Sequence, residues 1–93
     1  MSKIPTIRIY GTESCSYCMA ARMLLKRKGV EFDDVLVSHD AGKLDEMIAL
    51  SGRRSVPQIV IGDKPIGGFD ELYTLDQNGE LDELLDASGE ALN

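Results

Sequence analysis

The sequence predicts an α/β domain, a four-stranded mixed sheet with helices on both faces, in the order β-α-β-α-β-β-α. Three observations carry this prediction. The β-branched run Lys3–Tyr10, a helical pattern and the apolar stretch Glu31–Val37 follow one another, which reads as a βαβ crossover with parallel strands. The turn Gly62-Asp63-Lys64-Pro65 separates Gln58–Ile61 from Ile66, so these two strands should pair antiparallel. The 93 residues leave room for one core, so 1–93 is read as a single domain with its core over about 4–86.

Each element has a local reason. Ile4, Thr6, Ile7, Ile9 and Tyr10 are strand formers, and Gly11-Thr12-Glu13-Ser14 breaks their run. Ser14 is a suitable N-cap for a helix whose first turn holds Cys15 and whose apolar face runs through Cys18, Ala21, Leu24 or Leu25. Lys26, Arg27 and Lys28 complement the negative end of that helix, and Gly29 ends it. Ala41–Leu50 repeats the helical pattern through Leu44, Met47, Ile48 and Leu50, ending near Ser51-Gly52. Gly67-Gly68 opens a helix from Asp70 to about Asp76, Asn78-Gly79 stops it, and Leu81, Leu84 and Leu85 form a last short helix before a frayed tail, Ser88–Asn93. The four methionines are expected as core filler or N-terminus, and His39 as an exposed loop residue.

Composition narrows the function classes. With 43% hydrophobic and 28% charged residues the chain is an ordinary globule, and no apolar run is long enough for a membrane span. The net charge of −6 argues against nucleic-acid binding. Residues 1–54 hold nine Lys/Arg against seven Asp/Glu, whereas residues 55–93 hold one against nine. The mildly basic first half is the better receiver for a small anion. Without a signal-peptide pattern at the start, a cytoplasmic protein is expected.

Cys15 and Cys18 are the only cysteines. Two are too few for the staples of a small secreted fold, and with the lone His39 they cannot supply the four ligands of a structural zinc site. A reactive CxxC pair is the remaining reading. Placed where a helix exposes unpaired N–H groups, Cys15 has the setting that lowers a cysteine pKa from near 8.5 to roughly 3.5–7.5 and makes it the nucleophile. Cys18, one turn on, lies against the body of the domain and should stay protonated until it closes a disulfide with Cys15.

Three motifs together, Cys15-Ser16-Tyr17-Cys18, Ser55-Val56-Pro57 and Gly67-Gly68-Phe69-Asp70-Glu71-Leu72, resemble those of glutaredoxins of the small bacterial dithiol type, and the likeness runs from about Ile7 to Leu85. A CxxC between the first strand and helix of a βαβ unit fits the thioredoxin-like fold that the resemblance implies. The resemblance also implies glutathione as co-substrate, with glutathionylated or disulfide-containing proteins as partners. The chain is then expected as a monomer needing no obligatory metal, with no nucleic-acid or membrane partner.

For the site, the resemblance implies a cis Val56–Pro57 bond whose Val56 backbone pairs with the cysteinyl part of glutathione. Tyr17 flanks the sulfurs, and the turn Gly68-Phe69-Asp70 takes the γ-glutamyl end, its carboxylate on helix-start amides and its ammonium facing Asp70. Two positions depart from the family pattern. Thr12 stands where many members have lysine, and Leu44 where many have Arg or Gln, which leaves Lys43, Arg53 or Arg54 to meet the glycyl carboxylate. A thioredoxin proper is disfavoured, since no tryptophan precedes the CxxC and no Gly-Pro lies within it. Ser16 keeps open an alternative, a dimer sharing a [2Fe–2S] cluster through Cys15 and two glutathione thiols and acting as an iron–sulfur carrier or redox sensor.

Overall fold

The central strand of the computed structural model, β1 (Ile7–Gly11), alternates its side chains between two cores. Ile7 and Ile9 face one layer together with Ala21, Leu24, Leu25, Ile59, Ile61, Leu72 and Leu81. Tyr10 faces the other, with Val37, Met47 and Val60. Residues 6–86 are described, so Lys3, Ile4 and Met1 of the expected first strand and N-terminus, and the tail from Ser88, lie outside them.

The elements follow as α1 (Ser16–Arg27), β2 (Asp33–Leu36), α2 (Ala41–Ser51), β3 (Gln58–Ile61), β4 (Lys64–Gly67), α3 (Phe69–Gln77) and α4 (Glu80–Asp86). The sheet order is β2-β1-β3-β4. β1 runs parallel to β2 and antiparallel to β3, and β3 pairs antiparallel with β4, as the crossover and the hairpin require. α1, α3 and α4 cover the Ile7–Ile9 face, and α2 covers the Tyr10 face. Each of the large apolar side chains buried here contributes about 1.5–3 kcal/mol of transfer free energy.

α2 starts at Asp40, whose Oδ1 accepts from the Lys43 N–H at 3.1 Å, and ends at Gly52 in the left-handed region (φ 74°). The β3–β4 turn is tighter than expected. Only Gly62 and Asp63 stand between the strands, and Pro65 lies inside β4 opposite Val60. β4 is an edge strand, where a residue without an N–H is tolerated. Two helices close the chain after β4, as the Asn78-Gly79 stop predicts, with Gly79 (φ 79°) between them. Met47 is buried as expected, but Met19 and Met23 are exposed, because the core side of α1 is already filled by Cys18, Ala21, Leu24 and Leu25.

A polar seam crosses the α2 layer. The Tyr10 hydroxyl donates to Glu46, Arg8 Nη1 donates to the same hydroxyl at 3.1 Å, and Arg8 lies 3.7 Å from the Glu46 carboxylate. Burial, then the hydrogen bond to Glu46, pushes the Tyr10 pKa above its ordinary value. Position 44 belongs to this layer too: Leu44 packs on the Tyr10–Val60 cluster instead of facing solvent.

Candidate active site

Cys15 sits one step earlier than the sequence suggests. It is itself the N-cap of α1, with extended backbone (φ −87°, ψ 119°), and its Sγ accepts the Cys18 N–H at 3.1 Å. Thr12, Glu13 and Ser14 belong to the preceding turn, so Ser14 is not the cap and Cys15 is not inside the first turn. A sulfur that fills the N-cap role receives one of the helix-start amides directly, the arrangement that favours negative charge there. Cys15 is half-buried and Cys18 fully buried, and both thiols are free.

The two sulfurs have opposite surroundings. Burial, followed by the hydrogen bond with Cys15, pushes the Cys18 thiol up to about 11. Gly11 lies directly beneath it: a Cβ at that position would stand 2.7 Å from Cys18 Sγ. The absence of a side chain at the end of β1 is what lets α1 approach the strand with a sulfur between them.

Two further segments meet beside the CxxC. The Val56–Pro57 peptide bond is cis. Gly68 packs against this loop so closely that a Cβ there would lie 3.3 Å from the Pro57 carbonyl oxygen. Gln58, buried at the start of β3, secures the loop by donating from Nε2 to the Ser55 carbonyl at 2.9 Å and to Ser55 Oγ at 3.2 Å. Gly67 has φ 120°, a conformation that favours glycine, and Gly68 caps α3. The Gly68 N–H donates to Glu71 Oε1 at 2.8 Å, which leaves the first-turn amides of Phe69 and Asp70, without an i−4 partner by helix geometry, at the mouth of the turn.

A cleft of about 320 Å³ lies between these segments. Tyr17, Val56, Pro57, Gly68, Phe69 and Asp70, all six of the expected contacts beside the cysteines, line it. Neither cysteine is in its wall; Tyr17, 62% exposed, joins the cleft to the CxxC, its ring 6.2 Å from that of Phe69. A larger cavity, about 670 Å³, lies at the other end of β1 and α1 around Thr6, Ile7 and Gly29–Asp33, far from the sulfurs.

Sequence reasoning left the cation of the cleft open among three residues. Arg53 lines it; Lys43 pairs instead with Glu46 at 3.9 Å, and Arg54 is not part of the wall. The Arg53 guanidinium lies 3.5 Å from Glu71 Oε2. Glu71, like Gln58, was not singled out as a site residue. Its carboxyl is held below the ordinary value chiefly by the Gly68 N–H, with Arg53 a smaller cause. The signal for Gln58 was present, as the one polar residue in the apolar run Val56–Ile61. His39 is exposed, as expected. Among the described residues no three His, Cys, Asp or Glu side chains are grouped to hold a metal ion.

Comparison with known proteins identifies the family and the fold. The family model described as Glutaredoxin matches residues 7–66. Glutaredoxin 3 of Escherichia coli (strain K12) is 49% identical over 79 residues, covering 85% of this chain and 95% of that protein. The solution structure of glutaredoxin from Brucella melitensis is 39% identical with a TM-score of 0.81, over 97% of this chain and 98% of that one. The buckwheat glutaredoxin–glutathione complex superposes with a TM-score of 0.81 at 22% identity, over 95% of this chain and 83% of that one, a likeness of fold.

Proposed function

Because this chain belongs to the glutaredoxin family, we propose that Cys15 is its attacking sulfur and Cys18 its resolving one. The chain is a glutathione-dependent thiol–disulfide oxidoreductase with the thioredoxin fold. The observation that carries the division of labour is the contrast at the start of α1: a half-exposed sulfur capped by an amide, beside a buried thiol pushed up to about 11.

The steps balance as follows. With a glutathionylated protein, the Cys15 thiolate attacks the glutathionyl sulfur. A Cys15–glutathione disulfide forms, and the protein leaves as thiolate and takes up a proton. A glutathione thiolate then attacks that glutathionyl sulfur, releasing oxidised glutathione and restoring the Cys15 thiolate. With a protein disulfide, Cys15 takes one client sulfur, and Cys18, losing its proton, attacks Cys15 and frees the client. The resulting Cys15–Cys18 disulfide is reduced by two glutathiones. The attacking species in each step is the thiolate.

Glutathione is placed along the cleft. The Val56 backbone pairs with its cysteinyl part, the amides of Phe69 and Asp70 take the γ-glutamyl carboxylate, and the Asp70 side chain faces its ammonium. Tyr17 covers the sulfur end. Arg53, the cation in the cleft wall, meets the glycyl carboxylate in place of residues at positions 12 and 44. We read the chain as a single cytoplasmic domain over 1–93, monomeric in its catalytic cycle, with glutathionylated or disulfide-containing proteins as partners. No helix among the described residues is long and apolar enough to cross a membrane. The cluster-sharing alternative draws on the same sulfur: with Cys18 buried, a [2Fe–2S] cluster would take Cys15 alone from each chain. The oxidoreductase reading accounts for both cysteines.

The test is a pair of single variants. Cys18→Ser is expected to keep glutathione-dependent reduction of a small glutathionylated thiol and to lose most protein-disulfide reduction, while Cys15→Ser loses both. Equal loss in the two variants would overturn the assignment.

A further inference from the structure

α1 leaves two large apolar side chains uncovered, Met19 at 52% and Met23 at 61% exposed. Four residues apart, they share one helix face. That face begins at Ser16, beside the N-cap sulfur of Cys15, and ends in the last turn at Lys26 and Arg27, both exposed. By helix rise, Met19, Met23 and Arg27 stand about 6, 12 and 18 Å along the axis from Cys15. Leu36, on the edge strand β2, adds another exposed apolar side chain. It shares a strand face with Asp34, the partner of Arg22, and so lies on the α1 side of the sheet.

The charges on α1 are sorted. The helix carries no acidic residue. Arg22 is held by Asp34, and Lys28, just beyond the helix, by Asp76 and Asp82. Lys26 and Arg27 form no ion pair among the described residues. On a chain of net charge −6, whose residues 55–93 hold nine acids against one base, Lys26 and Arg27 are the exposed cations of this helix left to meet an acidic partner. Methionine adapts to partners of varied shape, and two of them on one helix face beside these cations offer a partner both apolar and charged contact.

Resting on the assignment of Cys15 as the attacking sulfur, we propose that the Met19–Met23 ridge docks protein substrates, and that it favours those carrying an apolar side chain near the reacting sulfur and a carboxylate about 18 Å from it. The glutathione cleft lies on the Tyr17 side of Cys15 and the ridge on the Met19 side, so a client protein and its glutathionyl group occupy different surfaces at once.

The probes are two helical peptides with one glutathionylated cysteine and leucines four and eight residues on, one ending in a Glu pair and the other in a Lys pair. A third substrate, the mixed disulfide of glutathione and 2-mercaptoethanol, has no surface to dock. The wild type is expected to favour the Glu peptide by about tenfold in kcat/KM at low salt, with the preference fading at high salt. Lys26→Glu/Arg27→Glu should reverse the preference. Met19→Gln/Met23→Gln keeps helix propensity and should slow both peptides by about tenfold. Both double variants should turn over the small disulfide within about twofold of wild type, which also reports that they fold. Activity on the small disulfide with no discrimination between the peptides overturns the ridge alone. A wild type inert toward the small disulfide overturns the oxidoreductase reading and the ridge with it. A wild-type dimer that Met19→Gln/Met23→Gln dissociates would assign the face to a second copy and overturn the proposal.

Discussion

Alkaline pH should destabilise the reduced protein through one buried thiol. Cys18 is raised from an ordinary value of 9.0 to about 11, first by burial and then by its hydrogen bond with Cys15. Below pH 9 the thiol is protonated in both folded and unfolded chains and contributes nothing to the pH dependence. Between about 9 and 11 the unfolded chain sheds the proton while the folded chain keeps it. The unfolded state then binds fewer protons, so stability falls as pH rises and levels off above the folded value. A gap of about two pH units corresponds to about 3 kcal/mol. Burial also raises Tyr10 and acts in the same direction. The clean quantity is therefore the difference between wild type and Cys18→Ala. Urea unfolding under anaerobic reducing conditions at pH 8, 9, 10 and 11 should show the wild type losing about 2 kcal/mol more than Cys18→Ala across that range, because at pH 11 the folded thiol is itself half ionised. A difference independent of pH would refute the reasoning and with it the protonated, waiting role of Cys18.

Three further outcomes follow from the packing around the site. Gly11→Ala places a methyl 2.7 Å from Cys18 Sγ. It should cost about 1–3 kcal/mol in urea unfolding and slow protein-disulfide reduction more than reduction of small glutathionylated thiols. Glu71→Ala removes the acceptor of the Gly68 N–H and the partner of Arg53. Unfolding should show a loss of about 1 kcal/mol, the scale of a helix cap, and steady-state kinetics a KM for glutathione raised more than kcat is lowered. In the proposed binding mode Asp70→Lys sets a cation against the glutathione ammonium, so KM for glutathione should rise more than kcat falls, and an unchanged KM would place the γ-glutamyl end elsewhere.

The sheet was legible because each strand announces its faces. In β1, Ile7 and Ile9 alternate with Arg8 and Tyr10, and in β3, Ile59 and Ile61 alternate with Gln58 and Val60, so both strands must lie between two layers. The parallel and antiparallel pairings then follow from what connects the strands. The cap of α1 was less legible. Ser14 is the better N-cap by general preference, yet Cys15 takes the place, because a sulfur acceptor at that position satisfies the Cys18 amide. The apolar period of α1 puts Cys18, Ala21, Leu24 and Leu25 on the core face, as the structure has them, and the expectation of Met19 and Met23 as core filler runs against that same period, which leaves both on another face.

The cleft shows the same division between local pattern and tertiary choice. Its three motifs were readable one by one, since each supplies a local need: an accepting sulfur at a helix start, a loop ahead of a strand, and paired glycines where backbones meet. The cation could not be chosen that way, because Lys43, Arg53 and Arg54 are equal as sequence. Helix period settles position 44. Leu44, Met47 and Ile48 stand at i, i+3 and i+4 and pack together over Tyr10 and Val60, so a guanidinium at 44 would leave the layer or be buried in it. Lys43 is drawn along the helix to Glu46. Arg53 follows the left-handed Gly52 that ends α2, and the chain reversal there carries it into the wall beside Glu71. Glu71 then faces both ways, holding the Gly68 turn with one oxygen and Arg53 with the other. The turn proposed to anchor one end of glutathione and the cation proposed for the other thus share one carboxylate, which is why a single change at Glu71 should weaken glutathione binding while leaving both sulfurs in place.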